Sequence, residues 1–256
     1  MRLERRYVEK PWGRTDLPRM FDPPAGRRIG EVWFTGATDE PLLAKFLFTS
    51  ERLSIQVHPN DEQARKRGLK SGKSECWFVL DAEPNAKLGL GLRREVSTVE
   101  LRRAALDGSI EELTDWRPVS AGDFFMVPPG TIHAIGGGIS LLEFQQNADL
   151  TYRLYDYGRP LELHLEDAIA VARAGLYSDE LAHHLAPAER KILVDGPNFR
   201  LLYTDQDEFQ DRKRWVIPLT GEVRSGEEVA RPGDCLLVQL DQRLEPNGQM
   251  LIGATA

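Results

Sequence analysis

The feature of this sequence that most constrains its fold is a succession of short runs rich in β-branched and aromatic residues, each bounded by turn-forming residues. Runs of this length and composition are typical of strands and too short for buried helices. We predict strands at Gly30–Gly36, Leu42–Phe48, Leu53–His58, Glu75–Leu80, Asp123–Pro128 and Ser140–Gln146. Their succession predicts an all-β architecture with a few helical insertions.

Three regions carry helical signals instead. Asn60, followed by two acidic residues, starts a short helix that Gly68 ends, and Ser97 with Glu100 forms a capping box. Acidic residues in a first turn and a glycine just past the end mark the last helix. The sequence therefore predicts helices over 60–67, from Ser97 onward with a second stretch at 110–113, and over 165–174.

Composition excludes several classes of function. The 40 acidic residues outnumber the 33 basic ones, for a net charge of −7, which argues against nucleic acid or an anionic membrane as partner. The two cysteines, Cys76 and Cys235, are too few for a disulfide framework and fit a reducing compartment. No apolar stretch follows the basic N-terminus, and no run is long enough to span a membrane. We expect a soluble cytoplasmic protein.

An internal repeat relates the two halves of the chain. Residues Gly122–Val127 resemble Gly233–Val238, and upstream of these Glu75–Glu83 resembles Arg214–Glu222. Repeated strand–turn units predict two related β-barrels in tandem. We place the first, which carries the candidate metal ligands, at 1–164 with a helical insertion at about 97–116. A helical connection at 165–190 and a degenerate second barrel without metal at 191–256 complete the predicted organisation.

The sharpest local pattern is Gly122-x5-Pro128-x-Gly130-x2-His133. Proline and glycine fix the backbone of the turn before His133, so that its side chain is directed back into the predicted barrel. The pattern resembles the second cupin motif without its final asparagine. A cupin is a double-stranded β-helix, or jelly-roll, barrel, so this resemblance implies tandem cupin barrels.

Three further residues complete a candidate metal site. Gln56 and His58 are two apart on one strand and therefore project from the same face. Glu75 begins the next predicted strand. With His133, these residues offer an amide oxygen, two imidazoles and a carboxylate, a mixed set that suits a borderline divalent ion, most naturally Zn²⁺. The absence of thiolate ligands argues against a closed structural zinc site.

Longer strings resemble one enzyme family, the type I mannose-6-phosphate isomerases in their short bacterial form. The strings are Lys10–Gly13, Leu53–Asp61, Gly72–Trp77, Pro128–Ala134 and Thr151–Tyr157. The resemblance covers residues 7–175 strongly and the C-terminal third weakly. It implies one zinc ion per chain, held by Gln56, His58, Glu75 and His133, and a sugar phosphate as substrate.

The same resemblance implies roles for three cationic residues. Lys45 and Lys73 match pocket lysines that hold substrate or transfer a proton, and Arg153 matches an arginine implicated in catalysis. Arg159 is a weaker candidate for holding the phosphate. The implied reaction interconverts mannose 6-phosphate and fructose 6-phosphate through an enediol. Neither the base nor the phosphate ligand is identified by sequence alone.

Two other functions are compatible with these residues. Similar His/Glu sets bind Fe²⁺ in oxygenases, although the cationic residues around the site speak against an apolar substrate. The second of these functions is that of a sugar-phosphate-binding cupin that does not turn over its ligand.

Overall fold

The computed structural model describes residues 1–36 and 40–256 of the chain. Most of the regular structure is strand, and antiparallel pairing dominates, so the predicted β-rich fold with few helices is confirmed. The strands are β1 (Glu4–Arg14), β2 (Ile29–Thr35), β3 (Leu42–Phe48), β4 (Ile55–Val57), β5 (Glu75–Ala82), β6 (Lys87–Leu92), β7 (Thr114–Pro118), β8 (Asp123–Val127), β9 (His133–Ile135), β10 (Ile139–Gln146), β11 (Tyr152–Tyr155), β12 (Ala182–His184), β13 (Lys191–Asp195), β14 (Phe199–Thr204), β15 (Arg214–Pro218), β16 (Glu222–Ser225), β17 (Glu228–Ala230), β18 (Leu236–Val238), β19 (Glu245–Asn247) and β20 (Met250–Thr255).

Within the part of the chain that the structure describes, four α-helices interrupt these strands: α1 (Asp61–Arg65), α2 (Thr98–Asp107), α3 (Ile110–Leu113) and α4 (Leu165–Val171). Asn60 caps α1 in a reciprocal capping box with Gln63. The Ser97 hydroxyl accepts from the Glu100 backbone N–H at 3.1 Å, so the predicted cap of α2 is present. The Glu100 carboxylate pairs with Arg94 instead of completing the box.

The last helix is shorter than predicted. Helix α4 ends at Val171 because Ala172 adopts an extended backbone, with φ −68° and ψ 137°. The residues that follow bond to a turn and to a strand: Arg173 N donates to Gly130 O at 2.8 Å in the turn before β9, and Leu92 N on β6 donates to Gly175 O at 2.8 Å. Hydrogen bonds to distant residues therefore replace the last helical turn that the local sequence predicts. The rest of 165–190 contains only a 3₁₀ turn at Asp179–Leu181 and strand β12.

The chain divides into two compact units. The central unit is residues 47–183, and the terminal unit combines residues 1–46 with residues 184–256. The N-terminal strands thus cluster with the C-terminal part of the chain. The division into 1–164, 165–190 and 191–256 stays a prediction, since compactness alone does not define a cupin barrel.

Two antiparallel sheets build the central unit. In one, β5 lies between β10 and β8; in the other, the strand order is β11-β4-β9-β6-β7. Apolar residues on one face of β4 and β11 pack with α2, α3 and α4 into a buried core that includes Ile55, Val57, Leu101 and Leu154. Strand alternation then directs Gln56 and Arg153 to the opposite face.

The terminal unit has its own core and two sheets of its own, β13-β14-β20-β15-β18 and β17-β16-β19. It also contains strands β1 and β2 and most of β3, which are neighbours in that order. Val216, Val223, Leu236 and Ile252 are among the residues of its buried core. Among the described residues, no helix is both long enough and apolar enough to cross a membrane.

The turns of the predicted repeat have matching local structures. Gly122 and Gly233 both adopt left-handed backbones, with φ of 92° and 94°. In each turn the following aspartate accepts a hydrogen bond from the backbone N–H three residues earlier, at 2.8 Å for Asp123 and 3.0 Å for Asp234. Each half therefore contains a turn of the same local structure.

Candidate metal centre

Three side chains with metal-ligating atoms converge in the central unit. His58 directly follows β4, Glu75 opens β5 and His133 opens β9. One ligand atom from each lies within 4.8 Å of the others, and all three residues are buried. Two sheets thus bring together residues that are far apart along the chain.

Strand register places two further predicted residues beside this group. Gln56 on β4 pairs with His133 on β9, and on its other side Gln56 pairs with Arg153 on β11. Directly opposed residues on neighbouring strands project from the same face with Cβ atoms about 5 Å apart. Arg153, Gln56 and His133 therefore form a row across three strands.

Hydrogen bonds fix how the two imidazoles present their nitrogens. His133 Nδ1 lies 2.8 Å from Thr131 O and must donate to it, which leaves the Nε2 lone pair facing Glu75 Oε1 at 3.4 Å. Lys73 Nζ lies 3.2 Å from His58 Nε2. Because an ammonium can only donate, Nε2 of His58 is also the nitrogen that carries a lone pair.

Burial and nearby charge set the protonation states of this group. Burial, reinforced by the charge of Lys73, lowers the pKa of His58 to about 3. Burial also lowers the pKa of His133. For Glu75, burial is the largest single effect and would raise the pKa, but Lys73 together with the neighbouring His58 and His133 outweighs it and holds that pKa well below its ordinary range. Two neutral imidazoles and a carboxylate are the forms that bind a divalent ion.

Lys73 connects the group to a carboxylate that sequence reasoning missed. Its Nζ donates to Glu75 Oε2 and lies 3.4 Å from Glu143 Oε1, and Trp77 Nε1 donates to Glu143 Oε2 at 3.0 Å. Lys73 and Glu143 are both buried. A signal for Glu143 was present in the sequence: it is an acidic residue in the otherwise uncharged strand Ile139–Gln146. Buried acids are rare unless they are paired.

The donor set fits a divalent metal. Glu75 Oε1 is fully buried and accepts no hydrogen bond, so an oxygen that needs a partner faces the two imidazoles. Imidazole nitrogens and a carboxylate oxygen are ligands that suit ions such as Zn²⁺. Gln56 is adjacent, with Nε2 at 3.2 Å from His133 Nε2 and Oε1 accepting from Ser54 at 3.1 Å. As oriented, its amide nitrogen faces the group.

The three remaining predicted residues lie in different surroundings. The Arg153 guanidinium is half-buried and makes no ion pair within residues 1–36 and 40–256. Arg159 is held by the buried Asp156 and lines a surface cavity of about 470 Å³. Lys45 is in the terminal unit, buried 3.5 Å from Glu31 and over the ring of Trp33.

The fold and the site together define a class: a β-rich, cupin-like protein with a buried group that could bind a metal. Comparison with known proteins shows which members of this class the chain is similar to. The chain is similar to the mannose-6-phosphate isomerase of Streptococcus mutans, with 41% identity over 167 residues, which are 62% of this chain and 52% of that protein. It is also similar to the mannose-6-phosphate isomerase ManA of Bacillus subtilis, with 46% identity over 138 residues, 51% of this chain and 44% of that protein.

The structural similarity extends over the whole chain. The crystal structure of the mannose 6-phosphate isomerase from Bacillus subtilis superposes with a TM-score of 0.84 and 25% identity, covering 98% of each chain. The sequence matches are shorter: the chain spans about half the length of the curated relatives it matches. No family model matches the chain. The resemblance to mannose-6-phosphate isomerases is thus present in both sequence and structure.

Proposed function

We propose that this chain is a zinc-dependent aldose–ketose isomerase that interconverts mannose 6-phosphate and fructose 6-phosphate in the cytoplasm. The observation that carries the proposal is the buried group of His58, Glu75 and His133, bonded to Lys73 and placed beside Arg153. The proposal is also supported by the similarity of the chain to proteins named mannose-6-phosphate isomerase.

The reaction moves a proton from C2 of the open-chain aldose to C1. Removing that proton leaves an enediolate, so the site must stabilise negative charge on the substrate oxygens. One zinc ion per chain, held by His58, Glu75 and His133, with Gln56 as a fourth ligand once its amide is turned so that the oxygen faces the group, would supply electrostatic stabilisation of that charge. The remaining work falls to the cationic side chains of the chain itself.

Arg153 is the residue we assign to charge stabilisation. Its guanidinium lies on the same face as Gln56 and His133 and is not neutralised by a described carboxylate. An arginine stays protonated at any working pH, so it stabilises charge and does not act as the base. Arg159 is assigned to substrate binding with less support, because Asp156 already engages its guanidinium.

Lys73 and Lys45 are assigned to holding the substrate or transferring the proton. Lys73 Nζ is fixed beside the candidate metal ligands by contacts with Glu75 and Glu143. Lys45 is a buried lysine, and burying an ammonium is costly unless it has a partner or a function. Its partner in this structure is Glu31.

The deciding experiment combines metal analysis with a coupled assay for fructose 6-phosphate. We expect about one zinc per chain, turnover of mannose 6-phosphate, and reversible loss of activity on chelation. His133→Ala should lose both zinc and activity. Bound zinc without turnover would instead indicate a silent sugar-phosphate-binding protein, and iron with substrate-dependent O₂ uptake would indicate an oxygenase.

Arg153→Ala tests the assignment of charge stabilisation. Loss of one such donor commonly lowers kcat by about 10²-fold, and the zinc content should stay unchanged. The matched control is Arg102→Ala, a partly exposed arginine of the central unit that pairs with Glu166. A rise in KM at constant kcat would make Arg153 a binding residue instead.

A further inference from the structure

The turn before His133 bonds to both histidines of the candidate metal centre, to the backbone of His58 and to the imidazole of His133. Gly130 N donates to the backbone O of His58 at 2.8 Å. Thr131 O accepts from His133 Nδ1 at 2.8 Å. A hydrogen bond to the second ring nitrogen sets the tautomer and orientation of a metal-ligating histidine. The position of this turn therefore controls where His133 presents its Nε2 atom, and it also holds the backbone that carries His58.

The segment after α4 holds this turn through Arg173. The Arg173 backbone N donates to Gly130 O at 2.8 Å, and its Nη2 donates to Pro129 O at 2.7 Å. Arg173 also forms a parallel bridge with Thr131. One residue thus bonds, with backbone and side chain, to consecutive carbonyls of the turn.

The packing around the turn leaves little freedom for it to move. Gly130 has φ +85°, and a Cβ at this position would lie 3.0 Å from Val171 O and 3.1 Å from Arg173 Nε. The backbone of the turn is therefore packed directly against this segment. Displacement of the Arg173 side chain would remove one wall of that contact.

The hydrogen bond to Pro129 is not a by-product of an ion pair. Within the described residues, the Arg173 guanidinium has no carboxylate partner, and its recorded side-chain bond is the one to the Pro129 carbonyl. A bond from a charged donor is stronger than one between neutral groups. No sequence pattern indicates this residue, because its partners lie more than 40 positions away.

We propose that Arg173 is a positioning residue for the metal centre. It acts through the turn Pro129–Thr131: Arg173 bonds to the first two carbonyls of this turn, and His133 bonds to the third. Arg173 itself touches neither metal nor substrate. This inference rests on the metal-dependent function proposed above. Direct partners of metal-ligating histidines typically contribute 10–100-fold to metal affinity. Arg173 is one step further away and exposed, so the effect should be smaller, about 3–10-fold.

The test measures zinc affinity by competition with a chromophoric chelator in the full-length protein. Arg173→Met should weaken zinc binding about 3–10-fold, in line with its place behind the direct histidine partner. Arg173→Lys should restore most of the affinity because its ammonium can still donate to the Pro129 carbonyl. Arg102→Met is the matched control and should bind zinc as the wild type does.

A second readout separates positioning from a merely structural role. The melting temperature is measured for each variant with zinc and with excess chelator. Positioning predicts that Arg173→Met reduces the increase in melting temperature that zinc produces. Equal losses with and without zinc, at unchanged zinc affinity, would overturn the proposal.

The outcomes also separate this inference from the proposed function. If the wild type binds zinc and isomerises the substrate while Arg173→Met binds zinc equally well, only the role of Arg173 fails. If the wild type binds zinc without isomerase activity and Arg173→Met weakens that binding, only the proposed reaction fails. If the wild type binds no divalent metal, both fail.

Discussion

The buried arginine of the terminal unit gives a prediction whose magnitude follows from its contacts. The repeat aligns Arg214 with Glu75, and each residue opens a strand. Arg214 is completely buried; its Nη1 bonds to the Asp207 carboxylate and its Nη2 to Gln242 O. Asp207 Oδ2 also accepts from Leu244 N at 3.1 Å. A guanidinium thus ties two loops together where the first copy has a candidate metal ligand.

Removing this guanidinium leaves the Asp207 carboxylate without its cation. Breaking a buried ion pair in this way costs about 3–5 kcal/mol. The side chain of Asp207 is 14% exposed, so water recovers part of the loss. We therefore expect Arg214→Met to lower the free energy of unfolding by about 2–4 kcal/mol. For a chain of this size, 3 kcal/mol corresponds to about 6–12 °C in melting temperature.

The assay is urea unfolding of Arg214→Met, Asp207→Asn and the double variant, followed by circular dichroism and tryptophan fluorescence. The double variant should be more stable than the two single losses added together predict, by about 1–3 kcal/mol, because neither charge is then left alone. Zinc content should match the wild type, since the candidate ligands belong to the central unit. A loss below about 1 kcal/mol for Arg214→Met, or no coupling, would refute this reasoning.

Three other predictions test the central unit. The unfolded chain takes up a proton at His58 below pH 6.5, whereas the folded protein resists protonation down to a pKa of about 3. The free energy of unfolding of the chelated protein should therefore fall by up to about 1.4 kcal/mol per pH unit as pH falls across this range, and urea midpoints that do not change between pH 7 and pH 5.5 would contradict this. Glu143→Gln removes one of the two carboxylates that hold Lys73, so kcat should fall about 10-fold or more while the zinc content stays unchanged. An unchanged kcat would show that Glu143 has only a structural role. Gly226→Ala should lower the free energy of unfolding by about 1–2 kcal/mol, because its φ of +60° is its only strain. Gly130→Ala adds a Cβ contact with a carbonyl at 3.0 Å and should lower it by at least about 1 kcal/mol more in urea unfolding; equal losses would show that the turn can relax.

Much of the fold and of the candidate ligand set follows from local sequence patterns. Strand alternation puts Gln56 and Arg153 on the opposite face from their apolar neighbours. Turn chemistry places His133 after Pro128–Gly130, and Asn60 caps α1 as expected. These features depend on residues a few positions apart, so they can be predicted without knowing which strands are neighbours.

The sequence by itself therefore determined the β-rich class, most helix starts and the residues that can ligate a metal. Only the tertiary structure decided that Glu143 meets Lys73 and that Arg173 holds the turn before His133. It also ended α4 at Val171, against the local helical signal. The physical reason is that a local pattern fixes which side of a strand a residue faces. Which residue lies opposite it depends on strand order and register, and these are set by packing across the whole unit.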